Sequence, residues 1–283
     1  MSERIQAYMR KATALNREVE QIGPFFATFT THSANTFLNY AIPDRQAEPT
    51  AADAQALIDA FRRHERVPRL EYLPGLAPAV EPALLAAGFT VEDRLPLMDC
   101  PADAIINQAP PAGFDLLFPA TDAEHLGVAT AQAEAFGEEP PSEAEIARSR
   151  QRIADGGIAV YARDVATGEP AGGGACTPLR DGLSEVVGVA VREAYRKRGL
   201  GGAITLLLTR AAYDAGAETV FLTPAGDPQE RIYARVGYRR IDSVLFLRHD
   251  HEDLRHNHED LRHNHEDLRH NHDGLRHNHE GAS

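Results

Sequence analysis

Hydrophobic and polar positions along the chain switch repeatedly between a period near 3.6 and a period of 2. Over SERIQAYMRKATALNREVEQ, Ile5, Met9, Ala12 and Val19 recur at helical spacing and predict an opening helix. FFATFTT and NTFLNYAI read as strands. A helix is expected over 51–63, with Thr50 as its cap. VPRLEYL reads as a strand, LAPAVEPALLAAG as a helix and FTVEDRLPLM as a strand. CPADAIINQAPPAGF, at 100–114, has the composition of a connector. Beyond it the pattern gives a strand at FDLLFP, a helix at TDAEHLGVATAQAEAF capped by Thr121 or Asp122, the loop GEEPP and a helix at SEAEIARSRQRIADGG. IAVYARD, AGGGACTPL and LSEVVGVAV are joined by short turns and predict an antiparallel meander. A helix follows at GLGGAITLLLTRAAYDAG, with Ile204, Leu207, Leu208 and Ala211 on one face. ETVFLTP (strand), DPQERIYARVG (short helix) and YRRIDSVLFLR (strand) close the pattern.

The order apolar strand, helix, strand, helix, Gly-aromatic corner, strand occurs twice. From Ile42 to Gly88 is 46 residues, and from Val191 to Gly237 is again 46. Equal spacing and matching Gly-Phe and Gly-Tyr corners point to two related domains; unrelated α/β halves with a chance likeness are the alternative. The expected boundaries are 1–104, 105–250 and a low-complexity segment at 251–283.

Composition narrows the function classes. The chain has 283 residues, 42 acidic against 29 basic, and a formal charge of -13. That balance argues against nonspecific nucleic-acid binding, which needs clustered cations. No apolar run is long enough to span a membrane, and the N-terminus lacks the apolar core of a signal peptide. The two cysteines, Cys100 and Cys176, form neither a disulfide framework nor a metal-binding spacing. A soluble, cytoplasmic protein is expected.

Against this acidic background stands RKRGLGG, between the apolar run VVGVAV and a helix. A glycine-rich turn entering a helix leaves backbone N–H groups unpaired at the positive end of the helix dipole, a seat for an anion such as phosphate. Read alone, it is equally a solvated helix start. The corresponding stretch of the first half, PDRQAEPT, carries acids and no glycine.

VVGVAVREAYRKRGLGGAITLLLTRAA resembles the central motif of the GNAT superfamily of N-acetyltransferases: a strand, then R/Q-x-x-G-x-G/A, then a helix, here with Arg196, Gly199 and Gly201 in the signature positions. The element order over 114–248 is similar to that family's fold, and the first half resembles a degenerate copy. The resemblance implies an α/β (α+β) chain of tandem GNAT-like domains, each a mixed, mostly antiparallel sheet flanked by helices. It implies acetyl-CoA as cosubstrate. Its pyrophosphate would sit on the loop Arg196, Lys197, Arg198, Gly199, Leu200, Gly201 and Gly202. Its pantetheine arm would bind the strand end Val189, Ala190 and Val191, with a main-chain N–H near Val189 as oxyanion donor.

DPQERIYARVGYRRI resembles the family's Y-x-x-x-G-F/Y segment and puts Tyr233 in the position of the general acid; an aromatic packed on the sheet is the other reading of that residue. The Asn often found seven residues earlier is Gly226 here, with Asp227 beside it, which puts the contacts of that Asn in doubt. Glu185, on the strand leading to Val189, is the candidate base or else a strand-surface carboxylate. His125 and Cys176 read as structural. Glu138 and Glu139, on the loop between the first two helices of the second half, can attract a cationic amine.

From 248 onward the chain repeats the heptad RHNHEDL and holds ten of the 13 histidines. One Leu per heptad is too few for a coiled coil. The composition fits a solvated tail, and its His-x-His pairs can bind nickel or zinc. The expected activity is transfer of acetyl from acetyl-CoA to a primary amine of a small molecule or peptide. The alternatives are a CoA-binding regulatory module without turnover, or a metal- or partner-binding role of the tail.

Overall fold

The computed structural model describes residues 1–15, 17–31 and 38–250. The first half of the chain runs α1 (Ser2–Thr13), β1 (Glu18–Ile22), β2 (Phe25–Phe29), β3 (Tyr40–Pro43), α2 (Ala51–Arg63), β4 (Arg69–Tyr72), α3 (Val80–Ala86) and β5 (Thr90–Asp99). The second half runs β6 (Phe114–Leu117), α4 (Asp122–Phe136), α5 (Glu143–Ala154), β7 (Ile158–Asp164), β8 (Pro170–Cys176), β9 (Leu183–Val191), α6 (Leu200–Asp214), β10 (Thr219–Leu222), α7 (Asp227–Ala234) and β11 (Arg239–Arg248). The segment 251–283, on which the tail and metal expectations fall, lies outside the described residues.

The chain divides into two compact units, Met1–Ala12 with Arg94–Val244, and Thr13–Asp93 with Leu245 onward. These cuts differ from the expected boundaries for a physical reason visible in the pairing. In the first unit the end of β5 pairs antiparallel with β10, Phe221 opposite Asp99. In the second, the end of β11 pairs antiparallel with β4, Leu245 opposite Tyr72. Each half of the sequence thus gives the end of its last strand to the unit built by the other half.

In the first unit, β6, β7, β8 and β9 form the expected antiparallel meander, and β9 continues parallel to β10. Its core holds Val160, Val186 and Val220 from the strands together with Ile204, Leu208 and Ala212 from α6. Leu207 and Ala211, expected on the same face, are only half-buried; Ala203, Thr205 and Thr209 take up that burial instead. In the second unit, β1, β2 and β3 are antiparallel and β3 runs parallel to β4. The parallel pairs β3–β4 and β9–β10 correspond across the repeat. Both corners, Gly88 and Gly237, take positive φ.

Where the sequence reading and the structure differ, burial explains it. The opening helix stops at Thr13 and buries Ile5, Tyr8 and Met9. Val19 belongs to β1, which buries only Ile22 along EVEQI and so carries almost no apolar signal. Of the described part of NTFLNYAI, Leu38 and Asn39 lie outside the strand, which begins at Tyr40.

The second unit buries an arginine. Arg69 is 2% exposed, lies 2.7 Å from Glu92 and 3.6 Å from Glu71, and stacks over Phe246 at 5.1 Å. Burial pushes the Glu71 carboxyl up to about 7 against the pull of Arg69 and Arg17. A carboxyl whose folded pKa exceeds its unfolded value near 4.3 holds a proton that the unfolded chain releases, so its contribution to stability falls as pH rises through that window. Glu71→Gln is therefore expected to gain stability relative to wild type between pH 5 and pH 8, by on the order of 1–3 kcal/mol. Urea midpoints across that range check this, and a pH-independent difference refutes it.

Candidate active site

The site begins with a mismatch of strand lengths. β9 spans Leu183–Val191, yet its parallel ladder with β10 covers only Leu183, Ser184 and Glu185. Beyond Glu185 no ladder with β10 forms on that edge, while the other edge pairs with β8. A strand edge without a ladder can take an extended ligand by main-chain hydrogen bonds.

β9 also bulges. Ala175 faces Val187 and Gly173 faces Ala190, so β9 carries one more residue than β8 over this stretch. The extra residue falls at Gly188, whose φ of +62° suits glycine. The Gln132 amide of α4 donates to the Gly188 carbonyl at 2.6 Å and pins the bulge. α4 itself is fastened at both ends. Near its start, Glu124 accepts from Tyr161 of β7 at 2.7 Å. Near its end, Glu134 takes both arms of Arg192 at 2.6 and 2.8 Å. Hydrogen bonds from the Ala120 and Thr121 backbone and from Tyr161 hold the Glu124 carboxyl down to about 2.

Past the end of β9 the chain turns through Arg192–Gly199 into α6. Lys197 has φ +62°, and Gly199, the N-cap of α6, has φ +83° and offers no side chain to the first turn. Ala203 N–H reaches back to the Gly199 carbonyl. The earlier N–H groups of the first turn, at Leu200, Gly201 and Gly202, therefore have no partner within the helix and point out of its end. The flanking cations are partly engaged. Arg196 donates to the carbonyls of Val191 and Ala135, each at 3.1 Å, and ties the loop to β9 and α4. Arg198 lies over the Phe114 ring at 4.3 Å. Lys197 is exposed and makes no ion pair among the described residues.

Tyr233 sits on α7, half-buried against the core, 6.2 Å ring to ring from Tyr238. The two tyrosines differ in what their hydroxyls do. The buried Tyr238 shares a 2.7 Å hydrogen bond with Thr209 and is structural. The Tyr233 hydroxyl has no protein partner among the described residues, and burial pushes its pKa above the ordinary tyrosine value. Gly226 begins α7 without a side-chain cap, in the position where the expected Asn is missing.

Glu185 lies on the same face of β9 as Val187, one pleat further back. Its N–H donates to the Thr177 hydroxyl at 2.8 Å, and that hydroxyl also meets Tyr8 of α1. Burial, with Glu185 nearby, pushes Tyr8 up to about 12. Cys176 is fully buried, its thiol directed at the Leu208 carbonyl and pushed up to about 12 by burial, as fits a packing role.

A cavity opens beside the bulge between α4, α5 and strands β7–β9. Its wall includes His125, Gln132, Ser149, Arg152, Val187 and Gly188. His125, read from the sequence as structural, faces this space, whereas Glu138 and Glu139 are not part of its wall. The sequence reading missed the bulge, although a lone glycine inside an apolar strand signals one. It also missed Gln132, which donates to the Gly188 carbonyl, and Arg152, which lines the same cavity; neither leaves a local signal. Among the described residues no group of three His, Cys, Asp or Glu can hold a metal, and no helix is long and apolar enough to cross a membrane.

Residues 126–238 match the family model described as Acetyltransferase (GNAT) family. No curated protein sequence matches the chain significantly. Among solved structures, a GCN5-related N-acetyltransferase from Kribbella flavida is similar, with TM-score 0.75 and 24% identity over 90% of this chain and 97% of that one. A GCN5-related N-acetyltransferase from Sphaerobacter thermophilus gives TM-score 0.63 and 15% identity over 80% and 76%. A tandem GNAT protein from the clavulanic acid biosynthesis pathway gives TM-score 0.58 and 16% identity over 79% and 77%. The open strand edge, the bulge and the uncapped helix thus lie within residues 126–238, the segment that is similar to the GNAT acetyltransferase family.

Proposed function

We propose that the chain transfers the acetyl group of acetyl-CoA to a primary amine by direct attack. The observation that carries this reading is the uncapped N-terminus of α6 following a strand whose edge lacks a partner beyond Glu185. The pyrophosphate is assigned to the N–H groups of Leu200, Gly201 and Gly202, with Lys197 adding charge. The pantetheine arm is assigned to the edge of β9 from Val189 to Val191. The thioester carbon then lies at the bulge, where a main-chain N–H near Val189 stabilises the oxyanion.

The amine nitrogen attacks the thioester carbon, the carbonyl electrons move onto oxygen, and the C–S bond breaks as they return. The amine gives one proton to a base, and the sulfur takes one from Tyr233. A tyrosine shifted upward by burial stays protonated at neutral pH, which is the state an acid needs. Glu185 is assigned as the base, acting through water across the one pleat that separates it from Val187.

Three measurements test this. Tyr233→Phe is expected to lower kcat by about 10²-fold or more while leaving acetyl-CoA affinity unchanged; an unaltered kcat removes Tyr233 from the acid role. Gly201→Asp places a carboxylate among the helix N–H groups, and its Cβ meets nothing nearer than Ile232 at 3.9 Å. It is expected to weaken CoA binding about 30-fold or more by calorimetry with the circular dichroism spectrum retained; unchanged affinity overturns the pyrophosphate assignment. Glu185→Gln is expected to flatten the acidic limb of the kcat/KM profile, and a limb that persists gives the base role to another group.

A further inference from the structure

The cavity beside the bulge carries a cation without a counter-charge. Its wall holds Arg152, His125, Ser149 and Gln132 but no aspartate or glutamate. Arg152 makes no ion pair or side-chain hydrogen bond among the described residues. Arg152 is exposed as a residue, and its side chain also lines the cavity; desolvation there and then the like charge of Arg148 lower its pKa.

Several carboxylates of α4, of α5 and of the turn after α5 are engaged elsewhere. Asp122 pairs with Arg150 at 2.9 Å. Glu145 closes the α5 capping box with Ser142 and lies 4.0 Å from Arg148. Asp155 accepts from Gln151 at 2.8 Å, and Glu124 is occupied by Tyr161 and the start of α4. A guanidinium on a cavity wall that holds no carboxylate, with a second arginine nearby, can take an anion supplied from outside.

Resting on the acetyl-transfer reading, we propose that the acceptor is a small amine that also bears an oxyanion group, and that Arg152 binds this group. The cavity measures about 60 Å³, room for a small polar group rather than a long chain. Arg152 on α5 and Gly188 on β9 both line it, so an oxyanion held at the first leaves a nearby amine facing the thioester end of β9. Glu138 and Glu139, read from the sequence as able to attract a cationic amine, are not part of this wall.

L-Serine, phosphoethanolamine and ethanolamine share one amino-alcohol skeleton and differ in the anion, so they serve as probes. Binding is measured by calorimetry on the CoA-loaded protein, and turnover by free-thiol release with acetyl-CoA. Serine or phosphoethanolamine is expected to bind at least 30-fold more tightly than ethanolamine, and the stronger of the two identifies a carboxylate or phosphate source. Arg152→Gln is expected to erase that difference while leaving CoA affinity unchanged, and Arg152→Lys to restore part of it. Equal binding of all three probes, a preference for ethanolamine, or a preference that survives Arg152→Gln overturns the proposal. Arg152-dependent binding without thiol release upholds the anion site and sinks the acetyl-transfer reading, so the two fail separately.

Discussion

The short parallel ladder between β9 and β10 is the constraint from which the rest of the site follows. Only Leu183, Ser184 and Glu185 take part in it. Of the strands, only β8 pairs with the six residues from Val186 to Val191, so the sheet keeps a strand edge without a ladder there. Unpaired strand edges are costly and prone to aberrant pairing. Here the bulge at Gly188 breaks the regular edge, and the turn into α6 ends it. α4 is clamped to β7 through Glu124 and to the exit of β9 through Glu134 and Arg192. The Gln132 contact with Gly188 therefore works from a fixed helix, and the backbone geometry at the bulge does not depend on a flexible side chain.

The secondary structure was legible wherever periodicity and caps agreed. Thr50, Thr121 and Ser142 each close a capping box with an acid three residues on, which is why the starts of these three helices follow from local sequence. β1 was not legible, because an edge strand with one buried residue has no period to detect. The exchange of strand ends between the halves was not legible either. β5 and β11 look alike in sequence, and which partner each takes is decided by pairing far along the chain.

The candidate site was readable in its backbone and unreadable in its side chains. Gly199 and Gly201 announce the start of α6, and Tyr233, singled out by the resemblance, lies on α7. The three consecutive cations differ in their contacts: Arg196 donates to two carbonyls, Arg198 lies over the Phe114 ring, and Lys197 makes no ion pair among the described residues. A run of charge in sequence does not show which member has a partner, since that depends on what α4 and β6 bring alongside. Arg152 is the converse case. Nothing marks it on α5 until the nearby carboxylates are found engaged elsewhere.

The two halves of the repeat show how little chemistry separates an anion seat from a closed helix. α2 and α6 occupy the same place in the repeat, each following a strand that pairs in parallel with the next. At α2 the Thr50 side chain accepts from Asp53 N–H, and the Asp53 carboxylate accepts from the Thr50 backbone in return. Hydrogen bonds from the Thr50 hydroxyl and then the Thr50 backbone hold the Asp53 carboxyl below its ordinary pKa, so the helix start already carries its own negative charge. An incoming phosphate would lose those donors and meet that charge. At α6 a glycine with positive φ replaces the capping side chain, no acid lies in the first turn, and the donors remain open. The capping box stabilises a helix by about 1 kcal/mol, and α6 forgoes it. A helix start left uncapped next to an open strand edge is stabilised by binding an anion there, whereas α2 is already complete without one.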